Sequence, residues 1–124
     1  MRHSRSSALH AADLVLEGLP ETLAARREAF EQINTCCRID AILASTTSSI
    51  LMTQLAALVR RPERFLNMHW LNPAYVIPVV ELSCHPGTDP EVLARTKLLM
   101  EAIGKLPSCA ARRPATSCRG CRRW

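Results

Sequence analysis

Glycine is scarce in this chain. Only Gly18, Gly87, Gly104 and Gly120 occur in 124 residues, and none is spaced as a G-x-G-x-x-G turn, so the sequence holds no glycine-rich phosphate cradle. Aromatic residues, at 4%, are too few to form the stacking platform of a single-stranded nucleic-acid binder. No apolar run approaches the roughly 18 residues of a membrane span. No apolar stretch follows Arg2 and Arg5 either, so a secretory leader is not expected and the cytoplasm is the expected compartment. Acidic residues are absent after Glu101, and the whole net charge of +5 resides in Arg112, Arg113, Arg119, Arg122 and Arg123. A neutral body with a basic tail does not make a folded nucleic-acid surface. What remains, 48% hydrophobic with zero mean hydropathy, fits one soluble domain.

The body reads as strands alternating with helices. Residues 13–17 form a short apolar run ended by Gly18 and Pro20, which predicts a buried strand and a turn. A helix follows, with Pro20 in its first turn, Glu21 at the positive end of its dipole, and Leu23, Phe30 and Ile33 on the buried stripe. It should end near Asn34. Residues 41–44 predict a second buried strand, and the hydroxyl-rich run 45–49 then offers a cap for a helix over 53–59. Strands are expected over 65–71 and 76–83. Asp89 as cap and Pro90 at the first position open a last helix with Val92, Thr96, Leu99 and Ile103 on one face, closed by Gly104. This alternation points to an α/β architecture with a largely parallel sheet.

Three features bear on chemistry. The 45–49 run is most simply a helix cap, and His69 within an apolar run is by itself more often a core or edge histidine than a catalyst. Glu81 on an apolar strand is harder to dismiss, because a buried carboxylate is costly unless paired. His69 and Glu81 are equidistant from Tyr75, so two strands folding back around that residue make them neighbours. A carboxylate against one imidazole nitrogen fixes the tautomer and strengthens the other as a proton acceptor.

From Ala12 to Pro107 the chain resembles the second half of the NAD-binding domain of L-3-hydroxyacyl-CoA dehydrogenases. The resemblance rests on five segments in order, A-D-L-V-L-E-G-L-P-E at 12–21, A-S-T-T-S-S at 44–49, R-P-E-R-F at 61–65, H-W-L-N-P at 69–73 and V-V-E at 79–81. It implies a partial Rossmann-like fold that lacks the first βαβ unit, with its glycine-rich turn, and the C-terminal helical domain. It also implies NAD as cofactor and hydride transfer between NAD and a 3-hydroxyacyl-CoA or a related small hydroxy acid. By resemblance His69 is the base, Glu81 its partner, and Ser48 and Asn72 the groups that orient substrate oxygen and cofactor. Gly18, Glu21 and Arg26 fall where the family approaches the nicotinamide-side ribose, Arg26 standing in place of a lysine. Thr46 in place of Asn, and Trp70-Leu71 in place of a Phe pair, bear on substrate fit more than on reaction type.

The resulting divisions are an irregular lead over 1–11, the dehydrogenase-like body over 12–107 and an Arg/Cys-rich tail over 108–124, expected to be disordered. Codons shifted by one base over the tail permit Ser-Pro-Gly-Tyr-Ile-Val and the rest of the family's continuation, so a frame-shifted end is expected. The competing reading makes Cys109, Cys118 and Cys121 half a zinc site, but no fourth ligand is at hand and no metal is expected. The expected chain is therefore a dehydrogenase fragment without activity alone, and its longer relatives dimerise through a domain not included here. Neither a membrane nor nucleic acid is an expected partner. The alternative is a small binding protein whose Arg-rich tail contacts a polyanion.

Overall fold

The short apolar runs become strands and the longer amphipathic stretches become helices in the computed structural model, which describes residues 5–109. The order is α1 (Arg5–Ala11), β1 (Leu14–Glu17), α2 (Leu23–Cys36), β2 (Ile42–Ser45), α3 (Met52–Ala56), β3 (Phe65–Trp70), β4 (Val79–Cys84), α4 (Pro90–Ala102) and β5 (Leu106–Cys109), with a 3-10 turn at Pro62–Arg64 before β3. The strands form one sheet in the order β1-β2-β3-β4-β5. β1, β2 and β3 run parallel, β4 is antiparallel to β3, and β5 is parallel to β4. The fold is the mixed α/β, mostly parallel arrangement expected of a Rossmann-like domain.

Side chains alternate across the sheet, so each face has its own core. On one face Val15, Leu43 and Phe65 pack with Phe30 of α2 and with Met52, Leu55 and Ala56 of α3. Phe30 and Phe65 meet edge to face, their ring centroids 5.9 Å apart. On the other face Ile42, Ala44, Leu66, Met68, Val80 and Leu82 pack with Val92, Leu93 and Met100 of α4. Helices therefore cover both faces of the sheet.

Several local expectations are corrected. The lead is not irregular throughout, because Arg5–Ala11 is helical and Leu9 and Ala12 pack against the Phe30–Phe65 cluster. α2 starts later than Pro20, with Thr22 as its cap, and its buried residues are Arg26 and Phe30 while Leu23 is exposed. The 45–49 run caps no helix: α3 has Leu51 as its N-cap residue, with no side-chain cap, and the hydroxyls turn elsewhere. α4 begins with Asp89 accepting from Glu91 N–H at 2.9 Å and is followed by Gly104 at φ 80°, the left-handed position glycine suits. Its buried stripe is Val92, Leu93, Thr96 and Met100, one residue round from the expected face, so Leu99 and Ile103 are exposed. Ser108 and Cys109, placed in the tail by sequence, belong to β5. The expectations for 110–124, Cys118 and Cys121 included, lie outside the described residues.

Candidate functional site

The face that is apolar at Val15, Leu43 and Phe65 turns polar two residues later on each strand. Glu17, Ser45, Asn67 and Ser83 are successive register partners across β1, β2, β3 and β4, and all four are buried. The next residues on that face are His69 and Glu81. This polar belt lies at the carboxyl ends of the three parallel strands, the rim where open α/β sheets bind ligands.

His69 pairs with Glu81 across the β3–β4 register, as a reversal centred on Tyr75 requires. His69 Nδ1 and Glu81 Oε2 are 3.1 Å apart. The two side chains are 34% and 45% exposed, so the pair sits at a surface. An ionised carboxylate only accepts hydrogen bonds, so a neutral imidazole paired with one carries its proton on Nδ1 and its lone pair on Nε2. The turn that follows holds Asn72, exposed and three residues beyond His69, with a cis Asn72–Pro73 peptide bond. Lys105 spans this turn: its ammonium donates to Ala74 O and lies 5.7 Å from the centre of the Trp70 ring.

The hydroxyl run converges on Glu21. Thr47 Oγ1 donates to Glu21 Oε2 at 2.8 Å, Ser49 Oγ donates to Oε2 at 3.1 Å, and Ser48 donates to Oε1 from its backbone N–H at 3.0 Å and from Oγ at 3.5 Å. Desolvation alone raises this carboxyl's pKa, but the bonds from Ser48, Thr47 and Ser49 and the nearby charge of Arg26 together hold it below the ordinary 4.5. Thr47 O in turn accepts from Asn67 Nδ2 at 3.0 Å, tying the run to β3 two residues before His69. Gly18 lies across from Thr46: a Cβ built there would meet Thr46 Oγ1 at 3.8 Å and nothing nearer, so its outer side is open.

Arg26 is fully buried beneath this turn, bonded to Glu17, Ser45 and the carbonyls of Leu19 and Pro20. The structure thus brings together His69 with Glu81, and Glu21 with Ser48 and Arg26. Asn72 makes no side-chain hydrogen bond to the described residues. Reading the chain in one dimension missed Glu17, Ser45 and Asn67. Their signal was a polar residue two positions after a core residue on each of the three parallel strands.

Residues 2–112 match the family described as 3-hydroxyacyl-CoA dehydrogenase, NAD binding domain. The chain belongs to this family. Among curated relatives of this 3-hydroxyacyl-CoA dehydrogenase domain, 5-formyl-3-hydroxy-2-methylpyridine 4-carboxylate 5-dehydrogenase of Mesorhizobium japonicum is 38% identical over 100 residues, covering 81% of this chain and 32% of that protein. The fatty acid oxidation complex subunit alpha of Shewanella frigidimarina is 35% identical over 96 residues, covering 77% of this chain and 14% of that protein. The crystal structure of 3-hydroxybutyryl-CoA dehydrogenase from Escherichia coli K12 superposes with a TM-score of 0.78 at 37% identity, covering 82% of this chain and 22% of that one. The chain thus spans a third or less of the length of these relatives.

NAD is the cofactor of this family. Gly18 with its open side, the clamped Glu21 and the exposed Ser48 lie together where β1 and β2 end. No glycine-rich turn for its pyrophosphate occurs in the 124 residues. No helix among the described residues is long and apolar enough to cross a membrane.

Proposed function

We propose that the chain is the catalytic and nicotinamide-side portion of an NAD-dependent 3-hydroxyacyl-CoA dehydrogenase. The observation that carries this reading is the His69–Glu81 contact of 3.1 Å near the carboxyl end of β3, which engages one imidazole nitrogen and leaves the other out of that pair. Glu81 holds the ring in one tautomer and orientation, and Nε2 takes the proton from the substrate hydroxyl as hydride leaves the carbon that bears it. In the reverse direction the imidazolium returns that proton to the new alcohol. NAD, when bound, supplies the acceptor or donor of the hydride.

Ser48, on the loop after β2, and Asn72, on the loop after β3, orient the substrate oxygen and the nicotinamide. Gly18 and Glu21 line the side of the nicotinamide ribose. The substrate is a 3-hydroxyacyl-CoA or a related small hydroxy acid, and the missing pyrophosphate turn leaves the chain without turnover on its own.

Two experiments test this. The 124-residue chain, mixed with 3-hydroxybutyryl-CoA and NAD, should form no NADH above background; turnover at an ordinary enzyme rate would refute the fragment reading. Residues 12–107 placed in the matching segment of a complete 3-hydroxybutyryl-CoA dehydrogenase should support turnover, and His69→Gln in that chimera should lower kcat by about 10²–10⁴-fold. An unchanged kcat in His69→Gln would remove the proposed base.

A further inference from the structure

An arginine carries five N–H donors, and Arg26 places four of them in hydrogen bonds and faces a carboxylate with its remaining side. Its Nε donates to Pro20 O at 3.3 Å, one terminal nitrogen donates to Glu17 and Ser45, and the other donates to Leu19 O at 3.2 Å and lies 3.4 Å from Glu21 Oε2. The side chain has no solvent exposure. Glu17 completes the cage by accepting from Ser45 Oγ and from Leu19 N–H, the latter at 3.1 Å. A guanidinium so enclosed has no open side with which to meet a ligand.

We propose that Arg26 is a positioning residue and not a cofactor contact: it locks the turn leaving β1 and, through Glu21, sets the position of the loop that carries Ser48. The inference rests on the reading of Ser48 as a site residue, but it makes its own physical claim. The route is short. Arg26 fixes the carbonyls at 19 and 20, which fixes where Glu21 starts, and its charge faces one oxygen of that carboxylate. Glu21 then accepts from 47, 48 and 49. The order of the loop is built into the protein before any ligand arrives, so ligand binding does not have to supply it. Lysine at position 26 would keep the charge but offers three donors from one point, which cannot reach Glu17, Ser45, two carbonyls and Glu21 together.

Amide hydrogen exchange on the full chain, without substrate or cofactor, reads this directly. Removing Arg26 alone would strand a buried Glu17 charge, so the informative variant is the double substitution Glu17→Met with Arg26→Met, which replaces the buried pair with apolar side chains of similar length. The Ser48 amide should then exchange at least about tenfold faster while the amides of Leu43 and Leu66, inside the sheet, keep their protection. Arg26→Lys, which leaves no buried charge unpaired, should keep the sheet equally protected and speed Ser48 exchange by a smaller factor. Unchanged Ser48 exchange in either folded variant overturns the proposal. Ser48→Ala in the complete chimeric enzyme tests the role of Ser48 separately: a loop that loosens as expected, with Ser48→Ala leaving kcat and KM unchanged, would overturn the Ser48 reading and leave the Arg26 clamp standing.

Discussion

Asn67 holds two structures together with one amide. Its Nδ2 donates to Thr47 O from a side chain that is 4% exposed, and its Oδ1 is buried with no partner among the described residues. Asn67→Ala should cost about 1–3 kcal/mol in urea unfolding, because Thr47 O loses its donor in a buried place. Glu21 gives a pH signature. Its folded-state pKa is depressed, against desolvation, by the hydrogen bonds from Ser48, Thr47 and Ser49 and the charge of Arg26, so its contribution is complete above the ordinary value of 4.5 and is lost as pH falls through the lower folded value. Melting temperatures of the parent and Glu21→Gln should therefore differ most above pH 5 or so and converge under more acid conditions; curves that stay parallel down to low pH would show that the carboxylate stabilises nothing. Position 69 facing position 81 was legible in the sequence because a fold-back has only one centre. Arg26 was not, because an arginine on a helix reads as solvated until its partners, 9 and 19 residues away, are seen to enclose it.

At the scale of elements, local chemistry was most readable where a cap, a proline and a glycine coincide. α4 shows this, since Asp89, Pro90 and Gly104 set its limits independently of anything it packs against. Asp89→Ala should lower stability by about 1 kcal/mol without altering the site, measurable as a shift of the urea midpoint with unchanged slope. α2 and α3 were less readable because tertiary demands override their local signals. Glu21 serves the serine loop across the turn and not the first turn of α2, and the hydroxyls that look like a cap for α3 are engaged by that same carboxylate. The stripe of α4 was misplaced by one residue because both Leu98–Leu99 and Leu93 are apolar, and periodicity alone does not choose among adjacent apolar faces.

For the molecule as a whole, β1 is an edge: among the described residues it pairs with β2 and with no strand on its other side. Leu16 on that strand is 42% exposed. An open apolar edge recruits other strands, so the chain should self-associate as its concentration rises, and Leu16→Lys should shift light scattering toward the monomer. The α/β class was recoverable from alternation alone, whereas the reversal of direction at β4 depends on the 71–78 turn, where Asn72, Pro73 and Pro78 mark a loop without dictating its path.

The pairing across that turn is also exact in its step. Asn67 faces Ser83 and His69 faces Glu81, while Met68 faces Leu82 on the opposite side. A one-residue slip in the pairing of β3 with β4 would drive Glu81 into the layer under α4 and bring an aliphatic side chain up beside the imidazole. A slip by two would keep the faces but set Val79 or Ser83, in place of Glu81, opposite the imidazole. The acid–imidazole couple therefore survives only while these two strands keep their present step, whatever the length of the loop that joins them.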